Sequence, residues 1–265
     1  MQPLNPRHSL HILLVEDDPI NSRVVTALLQ TLGHRVTVEK DGIGALTQFY
    51  RASWDLLLLD IGLPDIDGYR ISRRIRQNVD SKRAGLPIVA ITASQDAAIV
   101  PQVLAAGMNG LLRKPILEED FCHVLQNLQP TFLAPPPAAA EIPTAPSTHS
   151  TEAILDEQHW QRMAPLMERA ALLETVVMFQ QSGPDYLQQA IQGVADGRAH
   201  EAAQALHKLA GAASNMALGR LGDEARRLEK LCYGAPPPPI AKQLLALQQL
   251  MQRSLRALER MANMV

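Results

Sequence analysis

The sequence predicts a two-part chain. An α/β doubly wound, five-stranded parallel sheet is followed by an all-α antiparallel helix bundle. Three observations carry that expectation. Short apolar runs alternate with helical periodicity in the first half. The second half shows helical periodicity alone. Between them lies PTFLAPPPAAAEIPTAPSTHS, residues 130–150, in which no period of 2 or 3.6 survives.

The strand-like runs of the first half are HILLVE, RVTVEK, DLLLLD, PIVAIT and GLLRKP. Several are continuously apolar, as strands buried on both faces must be. The helical patterns between and after them are PINSRVVTALLQTL, IGALTQFYRA, GYRISRRIRQ, QDAAIVPQVLAAG and EEDFCHVLQNL. Five strands alternating with five helices predict an open parallel sheet with helices on both faces. In the second half, breaks are expected at Ser182–Asp185 (SGPD), at Asp196–Arg198 (DGR) and at the tetraproline Pro236–Pro239. Long helices with short connections predict an antiparallel bundle. The domain boundaries expected are a lead-in over 1–9, the α/β domain over 10–129, a Pro/Ala-rich linker over 130–151 and the helical domain over 152–265.

Composition narrows the function classes. The chain has 265 residues, 46% hydrophobic and 20% charged, with 25 basic against 27 acidic residues. That balance gives no electrostatic reason for a nucleic-acid or membrane-surface partner. Arg73–Gln77 (RRIRQ) reads as a solvated helix face. No run reaches the eighteen or so apolar residues of a membrane span, and the N-terminus lacks a signal-peptide core. The two cysteines, Cys122 and Cys232, have no metal-ligand spacing and point to a reducing, cytoplasmic compartment.

The chemistry begins with LLLLDIGLPDIDG, residues 56–68, where four leucines end in Asp60. A carboxylate buried without compensation costs several kcal/mol or more. In open α/β sheets, ligands bind beyond the carboxyl ends of the strands. At those ends the first strand delivers Glu16, Asp17 and Asp18, the third Asp60, the fourth Thr92 and the fifth Lys114. Carboxylates at that density call for a cation, and Mg²⁺, a hard ion that retains waters and phosphate oxygens, is the natural one. With Mg²⁺ on one side and Lys114 on the other, Asp60 is placed to be a nucleophile that forms an aspartyl phosphate. Thr92 is placed to hydrogen-bond the transferred group.

VEDDPIN, LDIGLPDIDG, ITA and KP, in this order and at these spacings, resemble the receiver domain of two-component response regulators over about residues 10–130. The resemblance implies a flavodoxin-like fold with Asp60 as phosphoacceptor. It makes Glu16 and Asp17 the acidic pair, with Asp17 a direct Mg²⁺ ligand and the Gly62 carbonyl completing the protein ligands. Thr92 becomes the switch hydroxyl and Lys114 the lysine that pairs with the phosphoryl group. Asp18 stands where the family often has Asn and is not counted as a ligand. Leu111 stands where many receivers carry a switching aromatic, which suits a domain that mainly relays phosphate.

In HEAAQALHKLAGAASNMAL, residues 200–218, Leu206, Leu209, Ala213 and Met216 form one apolar stripe expected to face the bundle core. His207 lies off that stripe, among Ala203, Ala210, Gly211 and Ser214. This predicts an exposed imidazole on a bare face that a second protein can approach, and neutral imidazole is a competent nucleophile near neutral pH. The segment also fits an ordinary surface histidine on an alanine-rich helix. LHKLAGAASNMAL resembles the H-x-L-x-G pattern of histidine phosphotransfer (HPt) domains, over about residues 152–265. The resemblance implies that His207 is the phosphorylated residue and Gly211 a partner-contact glycine. Ala210 stands where many members have Lys, and Lys208, also considered for partner contact, sits at a different helical angle. His200 is the internal rival, without a glycine four residues on.

Together these readings predict a phosphorelay protein, like the C-terminal part of a hybrid sensor histidine kinase or a free-standing relay module. A sensor histidine kinase upstream would phosphorylate Asp60. His207 would exchange phosphoryl groups with a receiver, ending on a downstream response regulator. The activity expected is histidine phosphotransfer; no glycine-rich nucleotide loop suggests autokinase activity. One alternative is a regulatory interaction module with a silent phosphosite. Another is a phosphatase of the haloacid dehalogenase type, disfavoured because Gly62 occupies the position of that family's second Asp.

Overall fold

The computed structural model describes residues 9–94, 96–128, 153–233 and 240–264. The lead-in except Ser9, the linker over 130–151 and the tetraproline lie outside the described residues. The chain divides into two compact units on either side of residue 146.

In the first unit, β1 (His11–Val15), α1 (Pro19–Thr31), β2 (Arg35–Glu39), α2 (Gly42–Arg51), β3 (Leu56–Asp60) and α3 (Gly68–Arg76) follow in order. Then come the one-turn α4 (Ser81–Ala84), β4 (Ile88–Thr92), α5 (Ile99–Ala105), β5 (Gly110–Arg113) and α6 (Glu118–Asn127). The five strands are parallel in the order β2-β1-β3-β4-β5, the doubly wound order whose switch point lies between β1 and β3. β3 and β4 are buried along their whole length, whereas the edge strand β2 is half-exposed. Aspartates start the helices: the side chains of Asp18, Asp41, Asp67 and Asp80 accept first-turn N–H groups of α1 to α4, satisfying donors that a helix leaves open.

Two differences from expectation have local causes. α4 was not expected; Asp80 caps it through the N–H groups of Lys82 and Arg83. α5 begins at Ile99, several residues later than the apolar pattern suggested. Pro101 has no N–H to donate and costs no helical hydrogen bond when it stands in a first turn, which a start at Ile99 provides.

The second unit comprises α7 (Glu157–Met163), a 3₁₀ turn (Ala164–Leu166), α8 (Arg169–Ala195), α9 (Ala199–Asn215), α10 (Gly219–Cys232) and α11 (Ala241–Ala262). α9 packs against both α8 and α10, and α11 against α8 and α10. Leu206, Leu209, Ala213 and Met216 are fully buried, as the stripe required. The break at Asp196–Arg198 is present. Gly197 takes φ +71, and the Arg198 N–H reaches back to the Gly193 carbonyl at 2.7 Å, closing α8 as a glycine C-cap does.

The break expected at Ser182–Asp185 is absent: α8 runs through it with Pro184 inside. Proline removes one helical hydrogen bond and crowds the preceding turn, at about 3 kcal/mol. Here Phe179 and Leu187, on either side of Pro184, are both buried, and Met251 of α11 packs beside Gly183. Burial of that face outweighs the local penalty.

Candidate functional site

The first cluster lies at the carboxyl ends of β1, β3, β4 and β5. Asp18 opens α1 by accepting from the Ile20 and Asn21 N–H groups at 3.0 and 2.9 Å. That cap turns the chain sharply after Val15 and leaves Glu16 and Asp17 at the strand end. β3 delivers Asp60, whose β4 partner is Ile91, so Thr92 lies one residue further along the adjacent strand. The Lys114 N–H donates to the Thr92 carbonyl at 2.8 Å, which carries the lysine to the same edge.

The buried Lys114 ammonium sits between two carboxylates, 2.6 Å from Asp60 Oδ2 and 2.7 Å from Glu16 Oε2. Asp60 Oδ1 accepts the Gly62 N–H at 3.0 Å. Asn21, a residue given no role from sequence, donates its amide to Glu16 Oε1 at 2.9 Å. The carboxylate that ends the leucine run is thus held by an ammonium and a backbone N–H.

Charge is still in excess. Burial, reinforced by the Asp60 charge, pushes the Glu16 carboxyl up to about 8 against the pull of Lys114 and Asn21. Burial alone would lower Lys114, but Asp60 and Glu16 hold its ammonium well above the ordinary lysine range. Glu16, Asp17 and Asp60 each offer an oxygen, all within 4.8 Å of one another. Three carboxylates against one ammonium is a donor set that fits a hard divalent cation. Thr92 is buried, with its Oγ1 accepting the Ser94 N–H at 3.1 Å. Leu111 is packed in the core of this unit. Asp18, not counted as a ligand, caps α1 through Oδ1.

The second cluster lies on α9. His207 is not the exposed ring on a bare face that the sequence suggested. Its side chain is 23% exposed, Nδ1 lies 3.0 Å from Glu229 Oε1 of α10, and Nε2 is covered. Ala203, Ala210, Gly211 and Ser214 are buried. Their small size serves close helix packing. A Cβ on Gly222 of α10 would meet Ser214 Oγ at 2.5 Å and the Ala210 carbonyl at 3.1 Å. Gly211, expected to meet a partner, is inside the bundle, and Lys208 is half-buried. His200 lies on the outside, edge-on to Tyr233 at 6.4 Å. Glu229 was invisible from sequence, because only the pairing of α9 with α10 brings it to His207.

A family model for the response regulator receiver domain matches residues 12–126, and one for the Hpt domain matches residues 174–261. The sensor histidine kinase AruS of Pseudomonas aeruginosa is 30% identical over 227 residues, 86% of this chain and 21% of its own length. The sensor protein EvgS of Escherichia coli K12 is 27% identical over 245 residues, 92% of this chain and 19% of its own. The chain therefore spans about a fifth of the length of these curated relatives. Among solved structures, the receiver domain of a Pseudomonas aeruginosa PAO1 sensor histidine kinase is 39% identical, with TM-score 0.41. The match covers 45% of this chain and 96% of that domain, which is described with a magnesium ion in its active site cleft.

Proposed function

The chain carries a receiver domain followed by an Hpt domain, the parts of a phosphorelay, and from that premise we propose that Asp60 and His207 are its two phosphoacceptors. The observation that carries the proposal is Asp60 at the sheet's switch-point edge, bonded to Lys114 at 2.6 Å and grouped with Glu16 and Asp17.

In the first step an Asp60 oxygen attacks the phosphorus of a donor phosphohistidine. A P–O bond forms, the P–N bond breaks, and the donor imidazole leaves. Lys114 moves with the charge, from the carboxylate to the transferred group, and Thr92 offers a hydroxyl beside it. Glu16, Asp17, Asp60 and the Gly62 carbonyl would hold Mg²⁺, which when bound neutralises charge on the phosphoryl oxygens.

In the second step a histidine nitrogen attacks an aspartyl phosphate, and the carboxylate leaves. An ionised carboxylate only accepts hydrogen bonds, so Glu229 keeps the His207 proton on Nδ1 and the lone pair on Nε2. The same carboxylate stabilises positive charge that develops on the ring during attack. Nε2 is covered in this structure, so transfer requires the groups over it to move aside while Glu229 keeps Nδ1.

The partners this implies are a sensor histidine kinase that supplies the phosphoryl group and a response regulator that receives it, in the cytoplasm. The test is labelling of the purified chain with acetyl phosphate and Mg²⁺, beside Asp60→Asn and His207→Gln. Acid-labile phosphohistidine and base-labile acyl phosphate are told apart by their stability. Label on Asp60 that precedes label on His207, with both lost in Asp60→Asn, is the expected result. A chain that labels normally as Asp60→Asn overturns the assignment.

A further inference from the structure

The loop from Ile61 to Asp67 carries Gly62, and it is fastened at two places. Its ends are closed by the Gly68 N–H donating to the Ile61 carbonyl at 3.1 Å. Gly68 is required there, because a Cβ would lie 2.7 Å from the Asp60 carbonyl oxygen. Its tip is tied to another element. Asp65 accepts the Gly42 N–H at 2.8 Å through Oδ1 and the Ile43 N–H at 3.0 Å through Oδ2, both at the start of α2. Desolvation raises the Asp65 carboxyl, but the N–H groups of Gly42 and Ile43, with those of Ile66 and Asp65 itself, hold it below its ordinary range. Gly42 makes the contact close: a Cβ there would meet Ile71 Cδ1 at 2.8 Å and Ile66 Cβ at 3.0 Å.

We infer that Asp65 is a positioning residue for the phosphoacceptor site, clamping the loop onto α2 so that the Gly62 backbone stays beside Asp60. Three features transmit the clamp. Pro64 fixes φ immediately before Asp65, Leu63 is buried in the core, and Gly62 donates to Asp60 Oδ1 at 3.0 Å. A tip released from α2 loosens that short, stiff path and the Gly62 carbonyl with it. This inference rests on the reading of Asp60, Asp17 and Gly62 as the cation site.

The experiment is Mg²⁺ titration of the full chain by calorimetry, with amide exchange of Gly62 followed by NMR in the absence of metal. Wild type, Asp65→Ala, Asp65→Asn, Gly42→Ala and Asp60→Asn are compared, with urea unfolding of each as the control for folding. Asp65→Ala is expected to weaken Mg²⁺ on the order of tenfold, the scale of losing an outer support of a metal ligand. It should also speed exchange at Gly62. Asp65→Asn, which keeps one acceptor, should recover part of both, and Gly42→Ala should reproduce the loss from the α2 side. If Asp65→Ala lowers the urea midpoint but leaves Mg²⁺ affinity and Gly62 exchange as in wild type, Asp65 is only a helix cap and the inference falls. If wild type shows no Mg²⁺ binding that Asp60→Asn removes, the cation-site reading fails instead, and Gly62 exchange alone then decides the clamp.

Discussion

At the scale of single residues, the site holds more negative charge than Lys114 neutralises. Asp17→Asn removes one of three clustered carboxylates and should leave the metal-free chain no less stable than wild type. It should also abolish the further stabilisation that Mg²⁺ gives the wild type; urea unfolding with and without Mg²⁺ checks both. A second residue sets a pH dependence away from the site. His34 is buried, its Nδ1 accepts the Leu10 N–H at 3.3 Å, and its ring packs edge-on to Phe121 at 5.6 Å. Burial lowers its pKa below 6.5. The unfolded chain then binds more protons than the folded one just below pH 6.5. Stability from this residue is present above that pH and lost as pH falls toward the folded pKa. His34→Gln, which keeps an acceptor but does not titrate, should flatten the fall in stability as pH drops below about 6.5.

Helix pairs decide what surrounds His207. Gly222 lets α10 approach the Ala210–Ser214 turn of α9, and the approach carries Glu229 to the imidazole. Gly222→Ala gains roughly 1 kcal/mol of helix propensity. The new Cβ collides with Ser214 Oγ, which already donates to the Ala210 carbonyl and accepts from Arg226. Crowding of this kind costs about 1–3 kcal/mol. The variant should therefore lose net stability in thermal unfolding and shift the ¹⁵N resonance of His207 Nδ1 as Glu229 withdraws. α8 offers the opposite experiment. Pro184 sits in a helix that persists by packing, so Pro184→Ala should raise the urea midpoint, by up to about 3 kcal/mol of stability. A fall would mean that Pro184 is itself a packing element.

At the scale of the whole molecule, the acidic cluster belongs to the first unit alone. Among the described residues, no second group of three or more potential metal ligands is found in the helical unit. Mg²⁺ should therefore raise the unfolding temperature of the first unit and leave the second unchanged. At a hundredfold excess over its dissociation constant the gain is about 2.7 kcal/mol. Separate reporters make the test: Trp54 lies in the first unit and Trp160 in the second. No described helix is long and apolar enough to cross a membrane.

Local patterning was enough to show the alternation of strands and helices, the edge of the sheet where the chemistry gathers, and Asp60, Lys114, Glu16 and Asp17 as the group found there. Each of these follows from local periodicity together with one topological rule, because parallel strands put their carboxyl ends on one edge whatever the side chains do. Thr92 was legible for the same reason. The remainder depended on packing between elements. Pro184 reads locally as a break, and burial of Phe179 and Leu187 overrides it. The small residues around His207 read as an empty face, yet all are buried, and α10 lies against Ala210 and Ser214. Asn21, Asp65 and Glu229 act on groups 5 to 22–23 residues away in sequence, across a turn or between elements. Asn21 stood within VEDDPIN without a role, and nothing in the neighbourhoods of Asp65 and Glu229 marks them, because a hydrogen bond between elements is fixed by how the elements pack and not by the pattern that forms either one.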